Sequence, residues 1–182
     1  MFKFAFIIAI LATPVLAEED DLSLYGDLNR EELTMDRILE DMSRGETSMT
    51  GCAAGYLMTK GGNHDSARLT FETCADAGYS AAMSWMAYME DNGFGGDGYI
   101  DPEAAAEWNR QAAEAGDPVG MFNHGIDLMR GWGVEQDSEA GKTFVDQAAS
   151  QGVEIAERLR GADYDLNEIT PDADNWKFSP LF

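Results

Sequence analysis

Two cysteines and two histidines are the residues of this sequence best suited to redox, metal-binding or proton-transfer chemistry. An even cysteine count favours a disulfide between Cys52 and Cys74 if the chain is exported, and metal binding by the two thiols is the alternative. Nucleophilic catalysis needs a nucleophile, a base and an orienting group, and His64 and His124 are the two possible imidazole bases. Carboxylates are too abundant here to be informative. We expect no enzyme, with a hydrolase as the most distant alternative.

A short acidic segment resembles part of a calcium-binding loop. Residues 97–101, Asp-Gly-Tyr-Ile-Asp, copy the second half of an EF-hand loop. In that alignment the first and third ligand positions are Gly93 and Gly95, and the closing glutamate is replaced by Ala104. Three of the main carboxylate ligands are therefore missing. The sequence predicts no metal site and no cofactor.

The N-terminus has the pattern of a secretory signal peptide. Lys3 precedes an apolar run that is well short of the roughly 18 residues needed to cross a bilayer. Small residues lead up to Ala17, and four acidic residues follow it. We expect residues 1–17 to be cleaved off, giving a periplasmic protein with no membrane span in the mature chain.

The chain is strongly acidic. It has 34 acidic and 12 basic residues and a formal charge of −22. Without Lys3 the count is 34 against 11, a net charge of −23. Nucleic acids and anionic membranes are bound by basic surfaces, so this charge argues against both as partners. The charge favours a partner with a basic contact surface, or serves solubility alone.

A repeat organises the middle of the sequence. Residues 101–116 recur as residues 137–152, and residues 64–78 form a third, slightly shorter copy. The matched pairs, all 36 positions apart, are Asp101/Asp137, Ala104/Ala140, Trp108/Phe144, Ala112/Ala148 and Gly116/Gly152.

Each copy has the signals of one helix followed directly by another. An aspartate is suited to the N-cap, apolar residues recur every four positions, and a glycine ends the helix. Second helices are predicted from Ser80 to about Asp91 and from Val119 to Arg130. Because one hairpin of this size cannot bury its own apolar face, neighbouring hairpins must stack. The sequence therefore predicts an all-α solenoid of αα-hairpin repeats.

The repeat resembles the Sel-1-like family of tetratricopeptide-like αα repeats. Its clearest match is Gly125…Gly131-Trp-Gly-Val…Asp137-Ser-Glu-Ala…Phe144…Gln-Ala-Ala-Ser-Gln-Gly152, and about three units cover residues 50–152. The loop 92–101 is longer than is usual in the family, and His124 stands where leucine is usual. The resemblance implies a right-handed superhelical protein-binding scaffold without catalytic residues, often in bacterial envelope or signalling systems. At that position, a packed helix residue is the alternative to a functional role for His124.

The two cysteines stand at matching distances from a predicted turn. Cys52 lies about eleven residues before the loop centre at Gly62-Asn63, and Cys74 lies about eleven residues after it. Positions equidistant from the turn of an antiparallel hairpin face each other, so a disulfide fits this geometry. Stapled hairpins in some secreted Sel-1-like proteins add support.

Both ends of the repeat region have candidate capping helices. In residues 18–49 one amphipathic helix is expected, with Asn29 as its N-cap and Leu33, Ile38, Leu39 and Met42 on its buried face. Residues 153–182 should contain a second cap, Val153 to Arg160, followed by an acidic tail. The apolar end of that tail either packs on the solenoid or docks into a partner.

These features favour an exported scaffold, adaptor or regulator of an envelope process that binds a partner protein through the solenoid. An accessory subunit of a larger envelope complex, docking a basic partner such as a cytochrome, is the alternative. A groove binder should expose aromatic and polar residues on one helix face, whereas an accessory subunit should expose an apolar flank. The candidate partner-contacting residues are Trp85, Tyr88, His124, Trp132, Trp176, Phe178 and Phe182.

Overall fold

The computed structural model describes residues 34–94 and 96–169 of the chain. This part is helical throughout and contains no strand, as the sequence predicts. Its helices are α1 Met35–Ser43, α2 Met49–Lys60, α3 His64–Asp76, α4 Ser80–Asn92, α5 Pro102–Glu114, α6 Pro118–Arg130, α7 Ser138–Ser150 and α8 Glu154–Gly161, followed by a short 3₁₀ helix, Leu166–Glu168.

The helix ends confirm the repeat signals. Asp101 and Asp137 cap α5 and α7, each carboxylate accepting a hydrogen bond at 3.0 Å from the backbone N–H three residues on. In the copy at residues 64–78 the N-cap is Asn63, and His64 is the first residue of α3. The glycines that follow the first helix of each repeat copy, α3, α5 and α7, have a positive φ, as a left-handed helix end requires. They are Gly78, Gly116 and Gly152.

The helices form three pairs, α3/α4, α5/α6 and α7/α8, and each helix packs on the next along the chain. Helix α4 also contacts α6, so the second helices of successive pairs meet directly. Helix α8 takes the place that α4 and α6 have in the earlier pairs. The predicted C-terminal cap is thus also the second helix of the third pair.

The N-terminal helix differs from its predicted start. Its N-cap is Thr34, whose hydroxyl accepts a hydrogen bond from the N–H of Arg37 at 3.2 Å, and not Asn29. Asn29 lies outside the described residues, as does Leu33. Ile38 and Met42 are buried and Leu39 is half-buried, so the expected apolar face is confirmed in its described part. Helix α1 packs against α2 and α3.

Two apolar clusters form the core. One consists of residues from α1, α2, α3 and α4. It contains the disulfide between Cys52 and Cys74, which links α2 to α3 as predicted. The other joins α6, α7 and α8. Helix α5 lies between them in the chain, and the residues it buries are four alanines and Asn109. Because alanine side chains are small, polar groups of α4, α5 and α6 come close together here.

Within the described ranges no helix is both long enough and apolar enough to cross a bilayer.

Candidate functional site

An open pocket of about 290 Å³ lies between α4, α5 and α6. It is lined by equivalent faces of the two second helices, each contributing residues at positions i, i+3, i+4 and i+7 of one helix face. These residues are Ser84, Ala87, Tyr88 and Asp91 of α4, and Asn123, Ile126, Asp127 and Arg130 of α6. Asn109 of α5 and Trp132, just after α6, complete the lining.

A buried amide–carboxylate pair joins α5 to α6 in the lining. The Nδ2 of Asn109 donates to Oδ2 of Asp127 at 2.8 Å, and the two residues are 3 % and 6 % exposed. The Oδ1 of Asn109 is buried and has no hydrogen-bond partner among the described residues. A buried acceptor without a partner costs free energy, so this oxygen would gain from a hydrogen-bond donor.

A second buried pair connects α4 to the start of α6. The hydroxyl of Ser84 donates to Oδ2 of Asp117 at 2.9 Å, and Oδ1 of Asp117 accepts from the N–H of Val119 at 3.0 Å. One carboxylate therefore caps α6 and ties it to α4. This contact fixes the relative position of the two helices whose faces line the pocket.

The rim of the pocket is aromatic and charged. The indole N–H of Trp132 donates to Oδ1 of Asp91 at 2.9 Å, which positions an indole that is 46 % exposed. Tyr88 is half-buried beside Asp91 on the same helix face. The lining has two carboxylates, Asp91 and Asp127, and one cationic side chain, Arg130.

The structure brings two of the predicted partner-contacting residues together. Tyr88 and Trp132 both line the pocket. Three others, Trp176, Phe178 and Phe182, lie outside the described residues.

The remaining two predicted contact residues are buried, and their assignment needs correction. Trp85 is 4 % exposed and stacks on Phe71 with ring centroids 5.2 Å apart. His124 is 6 % exposed and meets Phe144 edge-on at 4.8 Å. Burial lowers the pKa of His124, and Arg110 lowers it further. Trp85 belongs to the apolar cluster of α1, α2, α3 and α4, and neither side chain is exposed for contact with a partner.

Sequence reasoning missed the polar part of the pocket: Ser84, Asp91, Asn109, Asn123 and Asp127. A signal was available in two places. Asn123 and Asp127 are polar residues four positions apart in a largely apolar helix, and Asn109 directly follows a repeat aromatic. Polar residues at buried helix positions need hydrogen-bond partners, so such a pattern indicates a polar network or a site.

The segment that resembles part of a calcium-binding loop, residues 97–101, has local structural roles. Asp101 caps α5, and Oδ1 of Asp97 accepts from the N–H of Tyr99 at 3.1 Å. Across the described residues no group of three or more potential metal ligands comes together.

Stacked hairpins, capped by aspartates and ended by glycines, define the chain as an αα-hairpin repeat protein. No protein-family model matches it, and no curated protein matches it either. Among solved structures it is similar to a Sel1 repeat protein from Oxalobacter formigenes, with 25% sequence identity and a TM-score of 0.57. The similarity covers 68% of this chain and 95% of that one. The resemblance to Sel-1-like repeats is therefore confirmed, and the fold is an αα-hairpin solenoid.

Proposed function

We propose that this protein is an exported scaffold that holds a segment of a partner protein in the pocket between α4, α5 and α6. One observation supports this most strongly. Aromatic and polar side chains line matching faces of two successive second helices, the arrangement expected of a groove binder. Sel-1-like repeats generally bind proteins, and their fold is typically a non-enzymatic scaffold.

Export rests on two features. Residues 1–17 have the signal-peptide pattern, and the Cys52–Cys74 disulfide is suited to an oxidising compartment such as the periplasm. Intact-mass measurement of protein from periplasmic extracts tests this part. A mature chain beginning at Glu18 is expected, and retention of residues 1–17 would contradict it.

Partner binding at the pocket is tested by quantitative capture from native cell extracts with purified variants. Asp91→Arg reverses a charge at the pocket rim, whereas Asp76→Arg makes the same change at the exposed end of α3. We expect a protein that the wild type and Asp76→Arg recover equally and Asp91→Arg recovers at least several-fold less. Equal recovery by all three would place binding elsewhere.

A second candidate function has its own observation. Three apolar side chains of α2 are exposed. They are Met49 and, seven and eight positions after it, Tyr56 and Leu57, a spacing that places them on one apolar flank. An accessory subunit of an envelope complex, with a basic partner such as a cytochrome, would use a flank of this kind. Loss of capture with Leu57→Glu, but not with Asp91→Arg, would favour it.

A further inference from the structure

We propose that the pocket receives one cationic side chain, an arginine or lysine, from the partner segment. The Oδ1 of Asn109 and the carboxylates of Asp91 and Asp127 are its acceptors. This inference rests on the proposed function, because it names the chemistry of the residue that the scaffold holds. It is carried by the hydrogen bonding, the charge and the shape of the pocket.

Hydrogen bonding requires a donor. Asn109 is 3 % exposed and lines the pocket, and its amide group already donates to Asp127. The remaining atom, Oδ1, is an acceptor without a partner among the described residues. A bound group that donates to this oxygen would remove the cost of its burial. A carboxylate, which is an acceptor when ionised, cannot do so.

The negative charge of the pocket lining and of the whole chain favours a donor that is positively charged. Asp91 and Asp127 outnumber Arg130 in the lining, and the whole chain has a net charge of −22. Guanidinium and ammonium groups have donors and no acceptor, so they match a set of amide and carboxylate oxygens. Hydrogen bonds between charged partners are also stronger than neutral ones. A neutral amide or hydroxyl could also donate to Asn109, but it would not balance the charge of the two carboxylates.

The aromatic and apolar lining suits the rest of such a side chain. Tyr88 and Trp132 contribute aromatic rings to the lining, and cations are attracted to the faces of aromatic rings. Ala87 and Ile126 give the alkyl stem an apolar surface. A volume of about 290 Å³ is at the low end for ligand pockets, which suits one side chain of an extended segment.

The probe for this inference is the peptide acetyl-Gly-Arg-Gly-amide, with its citrulline counterpart as the neutral control of nearly equal shape. Titration is followed by ¹H–¹⁵N spectra, in which the indole signal of Trp132 is assigned by its loss in Trp132→Phe. We expect saturable shifts of that signal with the arginine peptide and at least tenfold weaker binding of the citrulline peptide. A lysine peptide should also bind more tightly than the citrulline peptide.

Three variants distinguish binding at the pocket from nonspecific attraction of the cationic peptide to the acidic chain. Asp91→Asn keeps an oxygen for the Trp132 indole and should weaken arginine binding several-fold. Asp76→Asn, with the same change of charge on α3, should leave it unchanged. Arg130→Gln removes the competing cation of the exposed Arg130 side chain and should strengthen it. Melting curves that match the wild type confirm that each variant is folded.

Equal affinity for the arginine and citrulline peptides would overturn the inference. So would an unchanged affinity in folded Asp91→Asn, or weaker binding of the arginine peptide by folded Arg130→Gln. Failure of the proposed function has a different signature. If native capture does not depend on Asp91, the scaffold function at this pocket is wrong. If capture depends on Asp91 but neither cationic peptide is preferred, the cation inference alone is wrong.

Discussion

The indole N–H of Trp132 donates to Oδ1 of Asp91, and the two residues are 41 positions apart in the chain. The contact joins the loop after α6 to the last turn of α4. Hydrogen bonds of this kind contribute only about 0.5–1.5 kcal/mol to stability, so its main effect is on position. It holds an exposed indole at the rim of the pocket, where the second helices of two successive pairs meet.

Close approach of α6 to α7 depends on two glycines. A Cβ added at Gly125 would lie 2.8 Å from the carbonyl oxygen of Gly141, and one added at Gly141 would lie 2.6 Å from that of Gly125. Because both neighbours are backbone atoms, Gly125→Ala or Gly141→Ala must push the helices apart. We expect each to lower the free energy of unfolding by about 1–3 kcal/mol in urea titrations.

The matched control is Gly161→Ala. Gly161 is the last residue of α8, and an added Cβ would meet no atom within 4 Å. This variant should be neutral or slightly stabilising, because alanine is the better helix former. Equal destabilisation by all three substitutions would show that glycine flexibility, and not helix contact, is what matters.

Loss of the disulfide should destabilise the packing of α2 against α3. Cys52 and Cys74 are 22 positions apart and almost fully buried. A loop of this length corresponds to about 3 kcal/mol of unfolded-state entropy. We expect the double variant Cys52→Ala/Cys74→Ala to lose about that much stability to urea, and native protein to show no free thiol until it is reduced. Rapid alkylation of two cysteines in unreduced, folded protein would contradict the pairing.

Protonation of His124 should couple stability to pH. Burial lowers the pKa of His124 in the folded protein from 6.5, so the unfolded chain takes up the proton first as the pH falls. The folded state must therefore lose stability below about pH 6.5. In His124→Leu this loss is absent. The stability of the variant relative to wild type should therefore rise as the pH falls from about 7.5 to about 5.5. Parallel stability curves over that range would show that His124 is protonated equally easily in both states.

The first helices of the repeat could be predicted closely from the sequence, because their signals are local. Asp101, Asp137 and the glycines after the helices act within one turn of the backbone, so a matching pattern implies a matching structure. The start of α1 could not be predicted in this way. Asn29 and Thr34 are both suitable N-caps, and the choice depends on how α1 packs on α2 and α3.

The pocket was less predictable, because helix spacing does not tell which face is covered. Trp85 and Tyr88 are three positions apart on α4, yet one packs inside the core and the other lines the pocket. The importance of Asn109 also depends on packing. Its free oxygen matters because α4 and α6 bury the residue while leaving space beside it.

Association with a basic partner should depend on salt. A charge of about −23 on the mature chain attracts cationic surfaces over distance, and screening shortens this range to about 8 Å at physiological salt. We expect the association rate to fall several-fold from low to physiological salt while the dissociation rate changes much less. Stopped-flow measurement of both rates on the purified pair checks this. A salt-independent association rate would mean that the acidic surface serves solubility alone.

Site-directed photocrosslinking tests the location of binding most directly. A benzophenone amino acid is placed at position 132, on the pocket rim, or at position 57, on the exposed face of α2, and native cells are irradiated. The predicted result is one covalent adduct from position 132, with the crosslinked partner peptide containing an arginine or lysine near the attachment point, and no adduct from position 57. An adduct formed from position 57 alone, or equally from both positions, would contradict binding at the pocket between α4, α5 and α6.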